Sequence, residues 1–478
     1  MTKKISVTTS NKQRRVELGL AITVIIIAGC LRLARLPFLT MWSDEYHSVR
    51  VSSLPLTEIL TGNYSGEFTP PLYYALLHLQ RLVFGSTEIA MRSLSLAFSI
   101  LSSFLFYNLA RSILKDFIPS IAALVLMAFH PILIYYSVEI RSYSQLVFFS
   151  LLSFLSCVKI LGKSEHSKAW VILLILSLIG CLYTHYFGII VPFSITVFIA
   201  ANKFLSKRWD KTNSLILLSV AISGVIFLPG LLILRKQVVS FPIGVNSSLL
   251  TESLQVFLFS MDHPQYEQLL AVTAIIAFFT GLMVLITQIK NMPAVLLIVC
   301  SIAAAIAFIL FTAIAGIGLK NNRYIIEILP LVLIVIAATL VEKKRLLYRV
   351  FNSIGVITII LYIIYGTNFV LNTNRENQQA IWKADWKQLS VIVRNLRTSD
   401  EPIVIMGWDA TPLQYYLEES AISSYELENQ IPLHLHPSYL IIMTPNSRTM
   451  PILDSAALLY EDQTEGLRIL RLSTQSDK

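Results

Sequence analysis

Charge is what this chain has least of. Of its 478 residues, 14% are Asp, Glu, Lys or Arg and 55% are hydrophobic. An ordinary soluble domain carries about 25% charged residues. The apolar residues gather in runs of roughly 20, long enough to cross a bilayer core. That excludes a soluble globular protein. Cysteine is scarce too. Cys30, Cys157, Cys181 and Cys300 all lie inside apolar runs, so neither a disulfide framework nor a thiolate metal site is expected. A GKS/T loop and a GxGxxG turn are both missing, and with them any sign of nucleotide binding. No internal repeat and no low-complexity tract occurs. No small-residue cleavage site follows the first apolar run, which reads as a retained helix and not a signal peptide. The net charge of +9 reflects orientation in a membrane rather than nucleic-acid binding.

What is present is a series of spans. About eleven are predicted, near 18–36, 89–110, 117–137, 140–161, 168–184, 186–202, 213–233, 268–289, 293–315, 323–341 and 350–370. The fold class is an all-α polytopic membrane protein over residues 1–370. Its first outer segment, 37–88, is long enough to hold interfacial helices. Beyond 370 the composition turns mixed. PIVIMG and SYLIIM read as strands and TPLQYYLEE as a helix, so 371–478 reads as a small α/β domain. Lys and Arg fix the expected orientation. They crowd the segment before the first span (Lys3, Lys4, Lys12, Arg14, Arg15) and alternate connections after it, such as Lys203 to Lys211 and Lys343 to Arg349. The other connections carry few. The N-terminus is then cytoplasmic and the C-terminal domain extracytoplasmic, in the cell (inner or plasma) membrane.

That orientation gathers the polar residues at the outer face. In SDEYHSVR, Ser43 is a candidate cap, and Asp44 and His47 are three residues apart, on one helical face. An acid at a membrane edge, ionised but partly shielded, suits a general base. Acids in a first turn also stabilise a helix through its dipole, so on this segment alone Ser43, Asp44 and Glu45 read as a helix start more readily than as a site. In YYSVEIRSYS, Glu139 and Arg141 open the fourth span beside Tyr143; the pair is either part of a site or a local ion pair within an aromatic belt. YTHYFG sets His185 and Tyr186 at a sharp break between two spans. KNNRYIIEILP brings Arg323 and Tyr324 to the tenth span, where Arg suits a bidentate phosphate contact or a snorkelling anchor. Arg92 carries the same two readings. His263 falls at the outer face as well. His434 and His436 read as exposed strand histidines rather than metal ligands. Together the carboxylates, arginines and histidine fit a reaction on an anionic lipid-linked substrate.

The same pieces, in order, resemble the membrane-embedded glycosyltransferases of the C-type (GT-C) fold. The nearest group is glycosyltransferase family 39 with its bacterial relatives: protein O-mannosyltransferases, the lipid A aminoarabinose transferase and rhizobial lipopolysaccharide-core transferases. The matching pieces are DE after the first span, TPPLYYALLHL, MRSLSLAFSIL, EIRSYSQLVFF, THYFG, NNRYIIEILPLVLI and DWKQLSVIVRNL. The resemblance implies a polyprenyl-phosphate-linked sugar donor, a lipid, polysaccharide or protein acceptor, and inverting transfer on the outer face. It implies that Asp44 is the catalytic acid, with Glu45 its neighbour. It places Arg92 with an arginine tied to activity, and it makes a donor-phosphate contact plausible for Arg323. One departure stands out. The family has His before the double proline, and this chain has Thr69, which puts a divalent metal cofactor in doubt; Glu67, two residues earlier, is a candidate stand-in. The alternatives are a transporter or flippase of a lipid-linked sugar, and a non-catalytic scaffold using its outer domain. Clean spans with charge collected at one face speak against transport.

Overall fold

The computed structural model describes residues 11–36, 39–64, 67–164, 167–207, 210–240, 264–287, 292–314, 322–341, 346–371 and 386–398, with 401–406, 411–417, 422–425, 438–443, 457–462 and 467–473. Contacts divide the chain into two units. The first is Met1–Pro37 with Val51–Leu371, and the second is Phe38–Arg50 with Asn372–Lys478.

The first unit is helical. It holds α1 (Asn11–Arg35), α3 (Leu56–Leu60), α4 (Leu72–Phe84), α5 (Glu88–Leu114), α6 (Phe117–Phe129) and α7 (Pro131–Ser137). Then come α8 (Tyr143–Leu161), α9 (Ser167–Thr184), α10 (Ile190–Ser206), α11 (Lys211–Ser240), α12 (Pro264–Ile286), α13 (Pro293–Ile314), α14 (Leu329–Ala337) and α15 (Leu346–Leu371). Local chemistry sets the ends. Thr87 precedes α5 and its hydroxyl accepts the Ala90 N–H. Lys115, at a φ of 61°, turns the chain left-handed and closes that helix on the Arg111 carbonyl. Asp210 caps α11 through the Asn213 N–H at 2.9 Å.

Among the described residues, nine helices are long and apolar enough to cross a membrane, ten if one bent pair is a span. The sequence predicts about eleven, and the difference lies in two places. Residues 117–137 are not one helix: α6 and α7 meet at a bend of 57°. Residues 323–341 hold a short apolar helix, Leu329–Leu340, preceded by a tight turn, Asn322–Ile325.

The bend has a plain cause. Pro131 has no N–H, and its ring holds His130 in an extended conformation. The carbonyls at the end of α6 thereby lose helical donors, in a bilayer that offers no water to replace them. Arg32 of α1 supplies them. It is 1% exposed. Its Nη1 donates to the Ala128 carbonyl at 3.1 Å and to Ala28 at 2.9 Å, its Nη2 reaches Met127 at 3.5 Å, and its Nε donates to Ser99 Oγ at 3.1 Å. Gly366 of α15 approaches the neighbouring Phe129 carbonyl so closely that a Cβ would overlap it. Small polar residues stitch other helices together. Ser153 Oγ donates to Ser177 Oγ at 2.8 Å, and Gln145 Nε2 to Thr184 Oγ1 at 2.7 Å, both between α8 and α9.

The second unit contains α2 (Ser43–Ser52, of which 43–50 fall in this unit), α16 (Trp386–Leu396), α17 (Thr411–Leu417) and strands β1 (Ile403–Met406), β2 (Ser423–Tyr425), β3 (Ser438–Met443), β4 (Ala457–Asp462) and β5 (Leu467–Ser473). The sheet order is β2-β1-β3-β5-β4. β1 runs parallel to β2 and β3, whereas β5 is antiparallel to β3 and β4. All four β1 residues are buried, which explains its unbroken apolar run. Trp386, Leu389 and Val393 of α16 and Leu413 and Leu417 of α17 share a core with Ile403, Ile405, Leu440, Ile442 and Ile469.

Arg32→Met keeps the length of the side chain and removes every donor. Each uncovered carbonyl should cost about 1–3 kcal/mol. We expect a clear fall in the thermal midpoint of the detergent-solubilised protein; an unchanged midpoint would show that the break is held some other way.

Candidate functional site

The first unit gathers a polar cluster at helix ends. It starts from the segment before α4. Pro70 and Pro71 have no N–H and fixed φ, so they lead the chain stiffly into that helix. Just ahead of them, Glu67 is 6% exposed. Its Oε1 accepts Arg141 Nη1 at 2.6 Å, and its Oε2 accepts the Tyr74 hydroxyl at 2.8 Å. Burial, then the adjacent Glu67 charge, push the Tyr74 hydroxyl well above its usual pKa, so it stays a donor. The Thr69 carbonyl accepts the Tyr64 hydroxyl at 2.8 Å and Gln237 Nε2 at 3.3 Å. Tyr186 donates to Gln237 Oε1 at 2.7 Å and packs its ring 5.0 Å from Phe68.

Arg141 lies in the turn between α7 and α8. Its carbonyl accepts Ser95 Oγ from α5 at 3.3 Å, and Ser95 in turn meets the Tyr73 hydroxyl at 3.3 Å. Two further groups lie within electrostatic reach of one another and of this arginine. His185 feels both Arg141 and Arg323. The Arg323 guanidinium lies 5.6 Å from the Tyr143 ring centre and within electrostatic reach of the Tyr136 hydroxyl. The Tyr143 ring is 5.7 Å from His185 and 4.6 Å from Tyr136. Glu139, 1% exposed, is felt by Tyr136 and by Arg35 at the end of α1. Arg35 also sits 4.2 Å over the Phe369 ring.

His185 is 5% exposed and caps the turn Tyr186–Ile189, where its Nδ1 accepts the Phe187 N–H at 3.2 Å. That bond leaves the ring proton on Nε2. Burial first, then the two guanidiniums, lower its pKa to about 3. It is therefore a neutral hydrogen-bond donor between two cations. Gly188 follows for a steric reason: a Cβ there would run into the Cys181 carbonyl.

The structure thus brings together Arg141, Tyr143, His185 and Arg323, with Glu139 and Tyr186 on the flanks. Arg92 is fully buried and pairs with Glu88 on its own helix at 3.4 Å. Of Tyr324 only the backbone is described. His263, His434 and His436 lie outside the described residues. Asp44, Glu45 and His47 belong to the second unit, in α2. Asp44 and His47 are partly exposed, whereas Glu45 is 1% exposed. Sequence reasoning passed over Arg35, Tyr136 and Glu327. Glu327 is fully buried, its carbonyl accepts Ser150 Oγ at 3.2 Å, and its carboxyl oxygens have no hydrogen-bond partner among the described residues. An acid within an apolar stretch was the available signal. Among the described residues, no three His, Cys, Asp or Glu side chains lie together so as to hold a metal ion.

Two predictions follow from this electrostatics. Breaking a buried pair strands a charge, so Glu67→Ala should cost about 3–5 kcal/mol, and Tyr74→Phe about 1 kcal/mol. Chemical or thermal unfolding in detergent checks the order, and equal effects would contradict it. His185 binds its proton more weakly folded than unfolded. Between pH 6.5 and about 3 the unfolded chain therefore holds more protons. Stability should fall as pH drops through that window, by up to about 1.4 kcal/mol per pH unit from this group. In His185→Phe that part of the slope should vanish; an unchanged slope would place the titration elsewhere.

Residues 69–233 match the family described as dolichyl-phosphate-mannose-protein mannosyltransferase. No curated protein matches the sequence. In fold the chain is similar to ArnT from Cupriavidus metallidurans in the apo state, with a TM-score of 0.62 at 13% identity over 95% of this chain and 98% of that one. The same protein bound to undecaprenyl phosphate gives 0.59 at 13% identity, over 97% and 98%. The apo oligosaccharyltransferase of Archaeoglobus fulgidus gives 0.53 at 11% identity, over 86% and 65%. The chain has the GT-C fold of a multi-pass membrane protein.

Proposed function

We propose that this protein is a membrane glycosyltransferase. It moves a sugar from a polyprenyl-phosphate carrier to an acceptor hydroxyl on the outer face of the cell membrane. The acceptor is a lipid, a polysaccharide or a protein. The observation that carries the reading is that two partly buried cations, Arg141 and Arg323, both act on the neutral donor His185 in a chain otherwise poor in charge. Such a group suits a phosphate: arginine forks match its oxygens, and the Nε2–H of His185 adds a donor without a further charge. The fold shared with an ArnT that binds undecaprenyl phosphate supports the same ligand class.

In the proposed reaction the acceptor oxygen attacks the anomeric carbon from the face opposite the phosphate. The bond from that carbon to the phosphate oxygen breaks, and the lipid phosphate leaves with the electron pair. Asp44 takes the acceptor's proton, and configuration inverts. Asp44, partly exposed, is the better base; Glu45, buried beside it, supports the helix. His47, on the same face as Asp44, contacts substrate. Arg323 and Arg141 offset the charge that grows on the departing phosphate, with Arg92 added by the resemblance. Glu139, Tyr143, Tyr186 and Tyr324 shape the pocket. The N-terminus is cytoplasmic and the C-terminal unit extracytoplasmic. One observation favours the transporter reading instead: the buried Glu327, since ionisable groups inside a membrane often mark a path.

The test is transfer from radiolabelled polyprenyl-phosphate sugars to membrane extracts. Asp44→Asn, folded by thermal melt, should lower the rate about 10²–10⁴-fold, and Arg323→Met about 10²–10³-fold. A fully active, folded Asp44→Asn protein rejects the base assignment. Glu327→Gln should keep transfer; loss of lipid-linked sugar movement across vesicles in that variant, with no transfer in the wild type, selects the transporter.

A further inference from the structure

The acid-bearing segment does not group with the spans that flank it in sequence. Residues Phe38–Arg50 group with Asn372–Lys478. One bond within that unit shows how. The Met41 N–H donates to the Tyr416 hydroxyl at 2.8 Å, across 375 residues of chain. Met41 lies outside any helix or strand, two residues before α2 begins at Ser43. Its side chain is fully buried and that of Leu39 nearly so.

Tyr416 is itself held. It stands on α17 between Leu413 and Leu417, both in the core of the sheet, and its ring packs against that core. Its carbonyl accepts Arg394 Nη2 from α16 at 2.6 Å. A stiff line thus runs from the sheet through α17 and the Tyr416 hydroxyl to Met41. From there α2 starts at once: the Tyr46 N–H closes on the Trp42 carbonyl at 3.0 Å, and Ser48 Oγ on the Asp44 carbonyl at 3.1 Å. Asp44 is three residues from the held amide, too close for slack in between.

We propose that the C-terminal unit positions the acid pair, and that Tyr416 is the positioning residue, its hydroxyl fixing the Met41 amide and so the start of α2. The C-terminal unit is then part of the catalytic apparatus rather than a cover. This rests on Asp44 being the base.

The experiment uses the full-length protein in detergent, with two readouts on Tyr416→Phe. Amide hydrogen exchange should quicken in residues 38–50 and stay unchanged in β1 and α16. Transfer from undecaprenyl-phosphate-linked mannose or aminoarabinose should lose about tenfold in kcat, as small misplacements of a reacting group do, with KM for the donor unchanged. Tyr415→Phe, beside it, should change neither. Unchanged exchange in 38–50 overturns the proposal. So does faster exchange with wild-type kcat while Asp44→Asn is inactive, a result that leaves the base assignment intact. An active Asp44→Asn removes the base assignment, and the proposal with it, whatever exchange shows. If Tyr416→Phe also loosens β1, the wild type decides: a slowly exchanging Met41 amide supports the hold, and a fast one overturns it.

Discussion

Hydrocarbon offers no water to a broken backbone, and the bundle depends on how one break is met. At His130–Pro131 the α6 carbonyls lose helical donors, and the Arg32 guanidinium takes their place. A charge that would be costly in lipid is tolerable because each side of the guanidinium has an acceptor. With the carbonyls satisfied, α7 can leave at 57° instead of continuing. That change of direction carries Tyr136, Glu139 and Arg141 toward Tyr143, His185 and Arg323. A structural arginine inside a span is thus upstream of the polar cluster at its end.

The cluster follows the same rule of compensation. Arg141 is nearly buried, and Glu67 and Tyr74 form a chain of short bonds that fixes one side of it. His185 is kept neutral by burial and by the two guanidiniums, and its tautomer is set by a single backbone N–H. In a medium of low effective dielectric, such cationic groups act on their neighbours with little screening. Thr69 stands where the resemblance led one to expect histidine, and its carbonyl is what Tyr64 and Gln237 hold. The acid two residues earlier, Glu67, supplies the side-chain chemistry of that segment.

The acid pair obeys a different logic. Asp44 and Glu45 are adjacent in sequence and differ in exposure: Asp44 is partly exposed and Glu45 is buried. Their helix is entered from an extended segment tied to a tyrosine of the C-terminal unit. The α/β domain, which carries few distinctive residues of its own, holds that segment through the Tyr416 hydroxyl.

Sequence by itself determined the class of the protein and most of its spans, because an apolar run of membrane length is a local property. The order of motifs likewise pointed to the fold, and apolar strands such as IVIM announced the small sheet. It did not show that the runs 117–137 and 323–341 are interrupted, since His-Pro and the Asn322–Ile325 turn sit inside runs that remain apolar on average. Tertiary structure alone decided which polar residues meet. Glu67 and Arg141 are 74 residues apart, Arg32 and Ala128 are 96, and Met41 and Tyr416 are 375. No spacing rule spans such separations. A buried charge finds its partner through the packing of whole helices, and that packing is written in shape and volume across the chain, not in any one stretch of it.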